Sequence, residues 1–219
     1  MNEQSKQLPE PEEEFSIKEF MLHAVLYLPL FFFLWFYFAP VVVWLPKVLL
    51  ELLLTNWLPD IFNGIAQNRF GLEVEIFIQA PPDLANPEGG TAVAVVPVNP
   101  MIYAYGLPLI LGLAVATPNV LKKRMIQALI GYLVISLVQV WGCFWEVFKT
   151  IAFNFEFQGP EILEKAGLAP TVIALCYQFG YLMLPAVVPI AIWILMNRSF
   201  IERIVWGYRE THQQNNGQT

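Results

Sequence analysis

The sequence predicts an all-α integral membrane protein with four transmembrane helices, an interfacial helix and a small extracytoplasmic β-hairpin. Three observations carry that prediction. Hydrophobic residues make up 57% of the 219-residue chain and charged residues only 14%, more apolar surface than a soluble domain of this size can hide. Four stretches approach or exceed the length of a bilayer crossing and are nearly free of charge. Between the first two of them, Leu72 to Gln79 alternates apolar and polar residues in the manner of a half-buried strand.

The elements follow in chain order. Residues 1–19 combine Gln, Glu, Pro and Ser with few apolar side chains, too little to offset the entropy of ordering, and are expected to be a disordered cytoplasmic tail. This acidic, proline-containing start lacks the positive n-region of a cleaved signal peptide, so the first span is expected to stay attached. That span runs from Met21 to Trp44 and is aromatic on every face from Phe31 to Phe38; Pro40 and Pro46 kink or end it near Trp44. Lys47 to Leu58 is too short to cross again. With Glu51 and Thr55 on one face, it reads as a helix lying along the interface.

Leu72–Gln79 and Thr91–Val96, separated by a turn rich in Pro and Gly, form the two strands of the hairpin within an outward insertion covering 59–98. Asn99-Pro100 is turn chemistry that starts a helix, and no residue from there to Pro118 is charged, which gives the second span. Tyr103 and Tyr105 fall in its first turns, the level at which amphipathic rings favour the water–lipid boundary. The third span is Met125 to Phe148. A loop from Asn154 to Pro170 leads to the fourth, Thr171 to Met196. The membrane domain as a whole is 20–205, and 206–219 is a second cytoplasmic tail.

Orientation follows from the basic residues. Lys6, Lys18, Lys122, Lys123, Arg124, Arg198, Arg203 and Arg209 lie on one side of the four spans; Lys47, Arg69, Lys149 and Lys165 lie on the other. Eight against four places both termini in the cytoplasm, with the hairpin and the loop at 154–170 facing outward, into the periplasm if the membrane is that of a double-membraned bacterium. The net charge of −6 is concentrated in the first twenty residues and argues against nucleic acid as a partner.

The polar residues inside the spans are few. Tyr132, Gln139, Cys143, Glu146 and Thr150 share one face of the third span, and Tyr177, Gln178 and Tyr181 make a patch on the fourth. The candidate polar bundle face is therefore Tyr132, Gln139, Cys143, Glu146, Tyr177, Gln178 and Tyr181. Counting ~1.5 Å per residue from the outer boundary puts Glu146 ~3 Å inside, Gln139 ~13 Å, Gln178 ~10 Å, and Cys143 and Cys176 ~7.5 Å. The two glutamine amides are expected to meet. Glu146, the only carboxylate within a span, is expected to serve structurally, paired with Lys149 or loop backbone. His23 and His212 lie away from both cysteines and no arginine lies in a span, so neither thiol has the electropositive setting of a nucleophile. No cofactor, metal-ligand or phosphate-cradling pattern is present in the sequence.

Three stretches together resemble the exosortase H-associated membrane proteins: Val98 to Pro108, Gln139 to Cys143, and Tyr177 to Pro185. The resemblance implies a companion of exosortase H, an integral-membrane, transpeptidase-like enzyme that processes surface proteins bearing a C-terminal sorting signal. The enzymes themselves use a cysteine, an arginine and a histidine near the outer face of the membrane. This chain departs from that pattern, because only its two cysteines reach that level. What is implied is a non-catalytic accessory protein whose partners are membrane lipid and an exosortase-like enzyme or its substrate. Two other functions remain: a structural subunit of a larger envelope complex, and an intramembrane enzyme using Cys143 or Cys176 with Glu146.

The orientation is testable by single-cysteine labelling. Cysteines at Asn86 and Asn119 are expected to react from opposite sides of the membrane; labelling of both from one side would remove the four-span arrangement.

Overall fold

The computed structural model describes residues 17–80, 89–155 and 158–202. The tails at 1–16 and 203–219, Glu156 and the Pro-rich turn at 81–88 lie outside the described residues, as do Arg203 and Arg209.

Among the described residues four helices are long and apolar enough to cross a membrane: α1 (Ile17–Tyr37), α2 (Ala39–Trp57), α4 (Leu121–Asn154), and the segment Pro170–Met196. The last two contain the expected third and fourth spans, Met125–Phe148 and Thr171–Met196; the first two differ from those expected. The first breaks at Phe38 rather than near Trp44, because Pro40 falls in the first turn of a new helix, where its missing N–H costs least. α1 and α2 run on through this joint, with Phe38 N–H donating to Leu34 O and Val42 N–H donating to Phe38 O, and they barely touch one another. Pro46 is absorbed within α2. The expected interfacial helix is thus the later part of α2. Its leucines Leu50 and Leu54 are fully buried rather than laid on lipid.

The expected hairpin is a three-stranded antiparallel sheet in the order β1 (Phe62–Asn68), β2 (Gly71–Ala80), β3 (Gly90–Val98). β1 escapes period-two reading because the register shifts between Phe62 and Gly64, which spaces its buried residues Phe62 and Ile65 three apart. Its turn with β2 passes through Arg69, a non-glycine residue at φ 55°. The inner face of the sheet buries Leu72, Val74, Ile76, Val96 and Val98 against α2 and the far end of α4, where Val147, Phe148 and Ile151 are fully buried. This is the main core.

The uncharged stretch after Asn99 is a 3-10 turn (Pro100–Tyr103) followed by α3 (Gly106–Ala116), eleven residues and shorter than a free-standing crossing. Asn99 Oδ1 accepts from Met101 N–H and so caps the turn. α3 packs along α1, where Gly112 admits Leu28, and against α4, where Gly131 admits Ile110. A smaller core of Val42, Ala104, Leu107, Ile110 and Ile135 lies in this bundle.

The expected loop after α4 contains α5 (Gly159–Ala166), started by Pro160 and ended by Gly167 in the left-handed conformation. It buries Ile162 and Leu163 under the sheet end and exposes the Lys165–Glu161 pair, 2.8 Å apart, which raises the affinity of Lys165 for its proton. The last span is α6 (Pro170–Gln178), a π-helical segment (Phe179–Met183) and α7 (Leu184–Met196). At the end of the bundle away from the sheet, Asn197 Oδ1 accepts from both Asn119 and Gln127 at 2.8 Å, while Trp193 Nε1 donates to Thr117.

Because Ile76 is fully buried and Glu75 lies on the other face, Ile76→Asp is expected to cost several kcal/mol and Glu75→Ala less than ~0.5. Limited proteolysis in detergent reads the difference. Equal resistance of the two variants would mean that this face is not a core.

Candidate functional site

The junction between sheet and bundle gathers the polar groups of the chain. Glu146 stands on α4 at this level and accepts a hydrogen bond from Tyr103 Oη at 3.0 Å. The Asn99 backbone N–H also points toward its carboxylate. Tyr103 itself is fully buried, not at a lipid boundary, because Gly142 leaves room for its ring: a Cβ there would stand 2.3 Å from Tyr103 Cδ1. Tyr103 meets Tyr181 edge-on with ring centroids 6.4 Å apart, Tyr181 stacks on Tyr177 at 5.9 Å, and Lys149 Nζ lies 4.3 Å from the Tyr177 ring centroid. Lys149 therefore faces an aromatic ring, and Glu146 a phenol, where a Lys149–Glu146 pair was one expectation.

Of the seven residues of the expected polar face, Cys143, Glu146, Tyr177 and Tyr181 come together here around Tyr103. The other three do not. Tyr132 donates to Val41 O at 3.3 Å and ties α4 to α2. Gln139 is buried and donates to Pro100 O at 3.3 Å, while Gln178 is exposed, so the two amides do not meet. The reason is that the 3-10 turn fills the space against α4 at this depth. α4 and α6 are nonetheless neighbours: Trp141 Nε1 donates to Cys176 O at 3.2 Å, and Gly180 packs on Trp141 and Gly142.

Sequence reasoning missed Tyr103 and Asn99 as members of the cluster. The available signal was Gly142, four residues before Glu146, since a glycine on the inner face of a membrane helix marks a close approach.

Beside the cluster opens a cleft of about 430 Å³ lined by Asn68, Arg69, Phe70, Glu73, Pro97, Asn99 and Glu146, among others. Phe70 touches Phe36 near the end of α1, with ring centroids 6.3 Å apart, so the cleft lies level with the end of that apolar helix. A second cleft of about 430 Å³ lies at the far end of the sheet, between β2 and α5.

The chemistry available is limited. Cys143 is fully buried, the setting of an inert structural thiol. Among the described residues no three His, Cys, Asp or Glu side chains are grouped to hold a metal. His23 Nδ1 lies 2.7 Å from Glu19 O near the start of α1, away from the junction. The arrangement fixes elements in place and leaves a cleft of mixed polar and apolar lining beside them.

Tight packing at Gly142 makes a sharp comparison. Gly142→Ala is expected to destabilise by about 1–3 kcal/mol through displacement of Tyr103, and Gly71→Ala, whose nearest new contact is 3.6 Å, by about 0.5 kcal/mol or less. Thermal unfolding in detergent measures both; equal midpoints would show that Tyr103 does not occupy this space.

The family model described as exosortase H-associated membrane protein matches residues 14–200. No curated protein and no solved structure matches the chain.

Proposed function

The chain belongs to the exosortase H-associated membrane proteins, and from that premise we propose that it is a non-catalytic accessory protein, one that holds or presents a membrane protein to an exosortase-type sorting enzyme. The observation that supports this reading best is the state of the polar groups at the junction. Glu146 is engaged by Tyr103 and Cys143 is fully buried, so this acid and this thiol are committed to packing; Cys176 is half-buried. What remains accessible is surface: the cleft beside Glu146 and the outer face of the sheet.

In this reading the chain lies in the bacterial inner membrane with both termini in the cytoplasm, and the sheet, the far end of α4 and α5 stand outside. The domain division is then a membrane domain over 20–205 carrying the outward insertion 59–98, between cytoplasmic tails at 1–19 and 206–219. Among the seven residues of the polar face, Cys143, Glu146, Tyr177 and Tyr181 hold the outer body to the bundle; Tyr132 and Gln139 fasten α4 to its neighbours.

A second reading, a structural subunit of a larger envelope complex, is favoured by α1. Its residues Met21, Leu22, Val25, Leu26, Phe33 and Phe36 are exposed, a broad apolar face that fits lipid or another helix.

Affinity purification from native membranes with mass spectrometry separates the readings. The accessory role is expected to bring down an exosortase or a protein bearing a sorting signal, and Cys143→Ala is expected to retain that recovery. A stoichiometric complex containing neither would overturn the accessory role in favour of the second reading.

A further inference from the structure

The backbone of the sheet has three places where a ladder could continue, and side chains from neighbouring elements engage backbone groups at two of them. Pro97 has no N–H, so in its pairing with Glu73 its nitrogen faces away from β2. By alternation, Glu73, Glu75, Phe77 and Gln79 direct their backbone groups toward β1, and Thr91, Val93, Val95, Pro97 and Asn99 direct theirs to the open side of β3. Independent contacts agree with this phase. Phe77 N–H donates to Ile61 O at 2.8 Å, and beyond the end of β1 the Gln158 amide bonds both the N–H and the C=O of Gln79, at 2.9 and 2.7 Å, like a strand partner. On the outer edge of β1, Ile65 N–H donates to Glu51 Oε1 at 3.2 Å.

The edge of β3 is different. Its last outward donor, Asn99 N–H, is directed at Glu146. The stretch 91–97 before it has no strand paired on its open side among the described residues. At roughly 3.3 Å per residue this is about 23 Å of unpaired backbone. Val93 and Val95 project from the exposed face beside it, each 49% exposed, and Glu75 and Glu73 lie directly across from Val95 and Pro97.

We propose that residues 91–97 of β3 are a docking strand for an extended segment of a client membrane protein, which adds to the sheet as a fourth strand. This rests on the accessory reading above. Main-chain pairing supplies the affinity and tolerates varied sequence, which suits clients that differ from one another more than a fixed subunit. The pattern on the exposed face asks for alternating apolar residues over the valines, with basic residues reaching Glu73 and Glu75. Geometry adds that the segment leads directly into a membrane helix. The strands run along α4 away from the bundle, since one end of the sheet meets Phe36 and Pro40, and the other meets Phe148 and α5. A chain following β3 to its bundle end therefore arrives at the cleft lined by Pro97, Asn99, Arg69 and Glu146, level with the end of α1.

The test uses the full chain in native membranes that contain the sorting enzyme and a sorting-signal protein. Benzoylphenylalanine placed at Val93 or Val95 is expected to crosslink the sorting-signal protein, and the same probe at Ala66 on β1 is not. Val95→Pro deletes one outward donor without touching the ladder, as Pro97 already does, and is expected to lower client recovery about tenfold, the effect of roughly one main-chain hydrogen bond. Should that variant unfold in detergent, Val93→Lys with Val95→Lys keeps the backbone, sets like charges against a basic client, and is expected to cause a loss of similar size. Full recovery with a folded variant, or crosslinks only to the enzyme or to a second copy, overturns the docking strand while leaving the accessory role standing. If the wild-type chain recovers neither enzyme nor sorting-signal protein, both fall.

Discussion

α4 is longer than the hydrocarbon layer of a bilayer is thick, and the rest of the molecule is arranged around that length. Its 34 residues measure ~51 Å at 1.5 Å per residue, against ~30 Å of hydrocarbon. The far end carries Val147, Phe148 and Ile151, which cannot stand uncovered in water. α2, the sheet and α5 supply the cover, and their packing on this one helix makes the main core. Within the bundle the same helix meets α3, α6 and α7. Both halves of the protein share a single rigid post, so the sheet cannot tilt without turning the bundle.

Backbone hydrogen bonding decides how the outer body is finished. A small sheet exposes edges, and unpaired donors there attract other chains. Glu51 and Gln158 each reach a backbone group from a neighbouring helix or turn, and Glu146 takes the Tyr103 hydroxyl. Glu51 also pairs with Lys47 at 2.8 Å, so the lone acid of α2 is satisfied twice. Polar residues that stand out in an apolar sequence as candidates for chemistry are here the means by which strands and helices are joined.

Some of this was legible in the sequence. The membrane class, the strands β2 and β3, the helical character of 125–148 and 171–196, and the family followed from apolar runs, alternation and three short stretches. What was not legible turned on local geometry. Pro40 and Pro46 look equivalent as breakers, yet one starts a helix and the other is carried inside it. The bulge at Phe62/Gly64 hid β1. The uncharged run after Asn99 has the composition of a span, but its first four residues wind as a 3-10 turn that pushes Tyr103 into the gap at Gly142. That turn displaced the expected contact between Gln139 and Gln178, because depth counted along single helices says nothing about what lies between them. All seven members of the polar face lie on the two helical segments expected, but only four of them meet; Tyr103 was invisible as their organiser until the turn was known.

The amide knot at Asn197 has a bearing on biogenesis. Asn119 and Gln127 emerge from the ribosome 78 and 70 residues before the carbonyl oxygen that will accept from them. Gln127 is almost wholly buried in the finished bundle. While α4 enters the bilayer, these amides must be satisfied by headgroups, water or an insertion factor, since a lone polar group in hydrocarbon is costly. The arrival of the last helix releases that temporary partner, which makes insertion of Pro170–Met196 the closing step of assembly and ties the order of synthesis to the order in which the bundle seals.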